Sequence, residues 1–419
     1  DTLGGQAKQD GRIGILTPGQ LNETYFEHAY IARYLGLMLL EGDDLVVDGG
    51  CVMVRTIAGL KPVSVLWRRM DASFIDPLEL RYDSRIGTPG MVDALRQGSV
   101  SMINAPGTGL LETRALAAFM PQLSRHLLGA DLHLPGTATW WCGRPEDKTH
   151  VLENFGQLMI GPAFSTSFPL EDERGTALGS SLSSQQRAAL LDRIESTGVD
   201  YVAQAPIELS TTPVYHDGKL EPRPVTLRVF AARTAEGWTI MPGGFARVGQ
   251  TGGSSAISMQ SGGYAADVWV LSSKPVEQVS LLPQDGDRLV RNVPGSLPSR
   301  AADNLLWLGR YAERCEALTR ILRAYNARRA ELGRADLPVL VSCANLLGGV
   351  GIDAAVGMPQ GLLATLDSAV HSAGQVRDRF SPDGWLALAD LQTTAKRFAG
   401  QVQPGDDATR AMTVLLRKL

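Results

Sequence analysis

The stretch Asp285-Gly-Asp-Arg-Leu-Val-Arg-Asn-Val-Pro-Gly-Ser-Leu-Pro-Ser299 decides how this chain is divided. It crowds glycine and proline breakers together and then offers Ser299 as a helix N-cap. Up to about Pro298 the sequence alternates short apolar strands with helices and Gly-rich turns, whereas beyond it Leu305, Leu308, Ala312, Cys315, Leu318 and Leu322 recur at helical spacing. Later segments near 361–380 and 383–399 repeat that pattern. The expected fold is α/β with mixed sheets, followed by an all-α helical domain that is itself incomplete. The expected boundaries are 1–135, 136–285 and 298–419.

Working outward from the junction, Arg12-Ile-Gly-Ile-Leu-Thr-Pro-Gly19 reads as a strand ending in a turn. A helical pattern over Tyr25–Leu35 and a second strand at Leu37–Leu40 follow. This βαβ order favours a parallel sheet whose ligands sit at the C-terminal strand ends. A hairpin over Leu45–Thr56 turns at Asp48-Gly-Gly50, and the strand Val63–Arg68, a helix at Met91–Gln97, the strand Ser101–Asn104 and a helix over Arg114–Leu128 complete the first region. From about Thr139 strands dominate: Tyr201–Gln204 is short and apolar, and Pro224–Arg233 alternates and is expected to pair with Trp238–Met241. A glycine-rich flap spans Gly249–Ser255 and Ser258–Gly263.

A chain of 419 residues can build two or three cores. Its net charge of −4 points to neither nucleic acid nor an anionic membrane surface as partner. No apolar run reaches the roughly 18–20 residues that span a bilayer, and the first residues lack a secretory layout, so a cytoplasmic location is expected. Four scattered cysteines show neither zinc nor disulfide spacing and are read as reduced thiols, and the six histidines are equally dispersed. The chain begins at Asp1 without a methionine, as a portion of a longer protein would.

The runs Ile15-Leu-Thr-Pro-Gly19, Tyr25-Phe-Glu-His-Ala29, Glu41-Gly-Asp-Asp-Leu-Val46, Arg68-Arg-Met-Asp71, Asp76-Pro-Leu-Glu79, Tyr201-Val-Ala-Gln204, Leu227-Arg-Val-Phe230, Met241-Pro-Gly-Gly244 and Trp269-Val-Leu271 occur in order. Together they resemble the circularly permuted ATP-grasp proteins, relatives of glutathionylspermidine synthetase. Ser299 to Glu316, with Trp307-Leu-Gly-Arg-Tyr311 and Glu313-Arg314, resembles the opening of the alpha-E domain often fused behind them. The resemblance implies a pre-ATP-grasp plus ATP-grasp unit using ATP and Mg2+. Its implied reaction is a carboxylate–amine ligation, in which ATP phosphorylates a small-molecule or peptide carboxylate and an amine displaces the phosphate.

The same resemblance implies site residues. Arg228 would be catalytic; Gln204, Gln260, Gly262, Gly263 and Asp267 would hold nucleotide; Tyr25, Glu27, His28, Arg68, Asn104 and Glu112 would shape the substrate pocket. The metal ligands are unknown, because in such proteins they lie upstream of the Thr-Pro-Gly motif, and an upstream segment or a partner protein would complete the site. Each residue has a plainer role beside this one: an exposed strand arginine for Arg228, a hairpin for Gln260 to Gly263, a Gly-rich turn around Asn104, and packing or capping for His28. Arg68 and Arg69 face opposite sides of a strand, so only one serves a pocket. Where relatives carry a basic residue, a hinge glutamate and a lysine, this chain has Gly161, Ala205 and Ala266. The alternative function is therefore a catalytically degraded homologue that acts as a binding or scaffold protein.

Overall fold

The computed structural model describes residues 2–7, 11–164, 177–249, 263–275, 297–333, 335–379 and 381–419. They form two compact units: one joins residues 3–105 to 283–419, and the other spans 106–282 with the first two residues.

In the first unit, strands β1 (Arg12–Leu16), β2 (Met38–Leu40), β3 (Leu45–Asp48), β4 (Cys51–Thr56), β5 (Gly59–Arg68) and β6 (Ser101–Ile103) make one mixed sheet in the order β2-β1-β5-β4-β3, with β6 also on β5. β1 runs parallel to β2 and β5, and β5 parallel to β6, as a βαβ crossover requires; β3, β4 and β5 pair antiparallel through the expected Gly-Gly hairpin. Helix α1 (Tyr25–Leu35) buries Tyr25, His28, Ala29 and Ala32, the i, i+3, i+4, i+7 stripe of an amphipathic helix, against Ile15 and Leu39. Gly36, at φ 68°, ends it in the left-handed conformation that glycine adopts without strain. The other sheet face packs Leu66, Val63, Val54, Leu40 and Ile75 under α2 (Met91–Arg96). The buried Asp76 carboxylate caps that helix, accepting from Val92 N at 3.0 Å and from Leu78 N at 2.9 Å.

The second unit opens with α3 (Arg114–Ala117) and α4 (Met120–Leu128). The single helix expected over 114–128 is broken here because Pro121, in the first turn of α4, has no N–H to continue the ladder. A four-stranded sheet follows, β7 (Thr139–Trp141), β8 (Met159–Pro162), β9 (Ala177–Leu178) and β10 (Tyr201–Gln204) in the order β7-β10-β8-β9, with α5 (Pro145–Glu153) and α6 (Ser184–Thr197). One face carries the Val151, Phe155, Ile160, Ile194 and Ala203 core, the other Ala115, Ala163 and Val202.

A second sheet, β11 (Thr211–His216), β12 (Lys219–Arg228), β15 (Gly244–Val248) and β16 (Tyr264–Val268), runs in that order; the hairpin β13 (Ala231–Thr234) and β14 (Gly237–Ile240) stands apart. The pairing expected of 224–233 with 238–241 is found at its turn end, where β13 pairs with β14; the strand breaks after Arg228, and β12 pairs instead with β11 and β15.

The first unit is completed by α7 (Ser299–Leu332), α8 (Pro338–Gly349), α9 (Gln360–Gly374), α10 (Pro382–Phe398) and α11 (Asp406–Lys418). Cys315, Leu318 and Leu322 of α7 enter a core with Leu347, Leu366, Leu391 and Met412, each fully buried aliphatic contributing about 1.5–3 kcal/mol of transfer free energy. The amino-terminal half of α7 does not share it: Leu306, Trp307 and Ala312 are exposed. An α/β part followed by helices is thus the observed class. Among the described residues no helix is long and apolar enough to cross a membrane.

Candidate functional site

In the first unit the candidate residues gather at the C-terminal ends of the parallel strands. Thr17 follows β1, and its Oγ1 lies 2.9 Å from His28 Nδ1, while His28 Nε2 lies 3.1 Å from Thr24 Oγ1. Thr24 Oγ1 donates to Asn22 Oδ1 at 2.5 Å, so it accepts from the ring; Gly19 N donates to Thr17 Oγ1 at 3.3 Å. The Thr24 contact thus takes a proton on Nε2, and in the neutral ring Nδ1 accepts from the Thr17 hydroxyl. Burial, reinforced by the Arg69 cation, pushes the His28 pKa down to about 4. His28 is 1% exposed and pins the Thr-Pro-Gly turn; it is not placed as a base.

Arg68 and Arg69 divide their tasks as strand alternation requires. Arg68 donates to Asn104 O at 2.6 Å and to Met70 O, clamping two loop carbonyls; Asn104 itself stands at φ 58° just beyond β6. Arg69 makes a long 3.8 Å ion pair to the exposed Glu27, stacks near Trp67, and keeps a buried Nε with no hydrogen-bond partner among the described residues. An orphaned buried guanidinium N–H costs free energy unless a ligand meets it. Sequence reasoning placed its bet on Arg68, and the geometry makes Arg69 the arginine available to an anion.

Beside them lies a buried ionic cluster that sequence reasoning did not assemble. Arg300, in the first turn of α7, donates Nε and Nη2 to the Asp44 carboxylate at 2.9–3.1 Å and Nη1 to Gln375 O at 3.1 Å; Glu41 Oε1 is 3.2 Å away. Asp44 is 1% exposed and also accepts from Glu41 N at 2.9 Å. Burial opposes the Arg300 charge, yet Asp44 and Glu41 outweigh it and hold its pKa above the ordinary value. Burial raises the pKa of Glu41, Asp378 and Tyr25, the last with help from Glu41 and Asp378. Both partners of the ion pair sit in motifs read from the sequence, Glu41-Gly-Asp-Asp and Ser299-Arg, but nothing in their spacing reveals that they meet.

In the second unit, β12, β15 and β16 place Arg228, Phe245 and Asp267 directly opposite one another, so all three stand on one sheet face. Arg228 lies 5.6 Å from the Phe245 ring centroid and 5.5 Å from that of Phe230. Arg247, two residues from Phe245 on β15, shares the face, and its Nε is buried without a hydrogen-bond partner among the described residues. Arg247 was missed because only pairing with β12 shows which face it shares. Ala266 stands on the opposite face with the buried Ala246. Gly161, buried opposite Val202, faces the Ala115 and Ala163 packing.

Gln204 ends β10 and donates to Thr139 Oγ1 at 3.1 Å, and Ala205 N donates to Ala138 O. Gly263 precedes β16 outside regular structure, and Glu112 is exposed at the end of a 3-10 turn, in the unit that does not hold Asn104. Gln260 and Gly262 lie outside the described residues. No cluster of three His, Cys, Asp or Glu fit to hold a metal occurs among the described residues, so the donors present here do not by themselves fit a magnesium site.

The profile of the circularly permuted ATP-grasp type 2 proteins matches residues 2–249. The chain belongs to that family. Residues 297–418 match Alpha-E, described as a predicted alpha-helical domain with a conserved ER motif; Glu313-Arg314 stands there on α7, with both residues exposed. An uncharacterized protein of Synechocystis sp. is 37% identical over 259 residues, 62% of this chain and 53% of that protein. One of Mycobacterium tuberculosis is 32% identical over 424 residues, 92% of this chain and 46% of that protein. One of Mycobacterium leprae is 31% identical over 294 residues, 70% and 51% respectively. The chain spans about half the length of the curated relatives it matches. The glycine-rich run expected to form a flap begins two residues after Arg247, and nearly all of it lies outside the described residues.

Proposed function

We propose that this chain forms the nucleotide-facing and substrate-facing portion of an ATP-dependent carboxylate–amine ligase. The observation that carries the reading is the sheet face bearing Arg228, Arg247, Phe245 and Asp267. An aromatic ring beside two guanidinium groups suits a base and its polyphosphate, and the orphaned Arg247 Nε has a hydrogen bond to give. Magnesium, when bound, would neutralise phosphate charge; Asp267 is the acidic group that the described residues place on that face, and it would need further donors from outside them.

In the reaction, an oxygen of the substrate carboxylate attacks the γ-phosphorus of ATP and ADP departs. The amine nitrogen then attacks the acyl carbon, phosphate departs, and the amine loses a proton as the amide forms. Arg228 and Arg247 would hold phosphate oxygens through both steps, where positioning and charge neutralisation supply most of the acceleration. In the first unit, taken by itself, the unpartnered Arg69 Nε beside the turn that His28 holds is suited to a carboxylate.

Isothermal titration with ATP and magnesium tests this. Arg247→Ala should weaken binding about tenfold to a hundredfold, the value of one charge-assisted contact. A chain that binds neither ATP nor ADP at millimolar nucleotide is instead a binding or scaffold protein.

A further inference from the structure

An open cleft of about 260 Å³ lies in the helical part of the first unit, lined by Tyr311 of α7 and by Asp367, Ser368, His371 and Ser372 of α9. It abuts the strand ends, because Gln20, one residue past the Thr-Pro-Gly turn, faces His371 Nδ1 at 3.4 Å and lies against Gly374, where a Cβ would come within 2.6 Å of its Oε1. We propose that this cleft is a binding site for a small primary amine in its ammonium form.

The lining offers acceptors and an aromatic wall. Asp367 Oδ1 takes both Gln392 Nε2 at 2.7 Å and Lys396 Nζ at 3.1 Å, which leaves Oδ2 without a hydrogen-bond partner among the described residues. The Ser368 hydroxyl spends its proton on Ala364 O at 2.9 Å, so towards a ligand it has only lone pairs. The Tyr311 ring stacks on Trp307 with centroids 5.6 Å apart, and an aromatic face beside a carboxylate is the pairing that attracts an alkylammonium. An anion would be repelled by the Asp367 carboxylate, whereas an ammonium meets its Oδ2 while Lys396 and Gln392 hold Oδ1. The volume corresponds to about eight or nine waters, room enough for a short amine. The cleft would thus supply the amine of the ligation, an assignment that rests on the ligase reading; the binding itself does not.

The test is calorimetric titration of the whole chain, without ATP, against ethanolamine and 1,4-diaminobutane, with glycerol and acetate as controls. Both amines should bind and both controls should not. Asp367→Asn should weaken the amines at least tenfold, and Tyr311→Phe, which keeps the ring, should change them by less than threefold. Lys396→Met removes the competing cation and should strengthen amine binding severalfold, which keeps the test decisive if Asp367→Asn fails to fold. Amines that bind no better than glycerol, or an affinity indifferent to both Asp367→Asn and Lys396→Met, would overturn the site. Since nucleotide is absent, loss of ATP binding in a separate titration would remove the ligase reading and leave the amine site standing.

Discussion

Replacing Arg300 by alanine strands a carboxylate. Asp44 is 1% exposed and receives three hydrogen bonds from the Arg300 fork, so among the described residues the variant leaves its buried charge held by Glu41 N alone. Breaking a fully buried pair costs about 3–5 kcal/mol, and because Arg300 keeps 21% of its side chain exposed the lower end applies, about 3 kcal/mol. For a unit of this size each kcal/mol moves the thermal midpoint by about 2–4 °C, which gives a fall of about 6–12 °C at pH 7. Arg300→Lys keeps a charge but not the fork and should lose about half as much.

The decisive variant is the double one. Asp44→Asn in the Arg300→Ala background removes the stranded charge and should recover at least half of the loss by scanning calorimetry. If the ion pair is the cause, the two single losses exceed that of the double variant by more than about 1 kcal/mol. Losses that simply add, or a midpoint of Arg300→Ala within 2 °C of the parent, refute the reasoning; the fork would then be a surface contact of the ordinary weak kind.

Three further outcomes are expected. His28 has its pKa depressed from 6.5 to about 4, so the unfolded chain binds more protons between those values, and the stability it contributes, full above pH 6.5, is lost on acidification through that window, by about 3 kcal/mol. His28→Asn should flatten the slope of urea midpoint against pH there; the raised Glu41 and Asp378 act with opposite sign and are common to both proteins. Arg68→Ala should lower the thermal midpoint by freeing two loop carbonyls, whereas Arg69→Ala should leave it unchanged or raised and weaken carboxylate substrate binding; equal effects on both measurements would dissolve the distinction. Gly161→Arg should destabilise by about 1–3 kcal/mol without improving ATP affinity, since the side chain would enter the Val202 packing, and Ala266→Lys, on the face opposite Arg228, should change affinity less than threefold by titration.

Local signals carried the first sheet far. The apolar strand, the 3.6-residue stripe of α1, the Gly-Gly hairpin and the Ser299 boundary are written in adjacent residues, and each appears where the pattern placed it within a residue or two. The second unit was less legible because its pairing is non-local: Arg228 and Asp267 are 39 positions apart, and only the β12-β15-β16 order puts them with Arg247 on one face. Arg68 and Arg69 show the same limit at short range, since alternation says they part but not which side is the pocket. The Arg300 cluster was invisible for the strongest form of that reason. Its halves stand 256 positions apart, in segments that each look like an ordinary motif.

That separation bears on how the helical part is joined to the rest. The chain leaves the first unit after Ala105, builds the second, and is back in the first at Leu297. On returning it closes the sheet: Leu297 O accepts from Ile57 N at 3.2 Å, Pro298 bridges Thr56, and Arg300 then takes Asp44. The start of α7 is therefore structural material for the α/β sheet, while α7 to α11 hold a core of their own around Leu322, Leu347, Leu366 and Met412. Dependence should run one way. A piece of residues 297–419 should unfold cooperatively by circular dichroism, because the contacts it loses, of Arg300 with Asp44, His371 with Gln20, Gln375 with Tyr25 and Arg377 with Phe26, lie outside its apolar core. A piece of residues 11–105 keeps the Leu66 core but is left with Asp44 uncompensated and Ile57 N–H unpaired, and it should be less stable than the same segment in the whole chain by at least the roughly 3 kcal/mol assigned to Arg300. Adding Asp44→Asn should restore most of that loss to the isolated piece. If the piece is already as stable as in the whole chain, the returning segment is a tether rather than part of the sheet, and the ion pair does not couple the two segments.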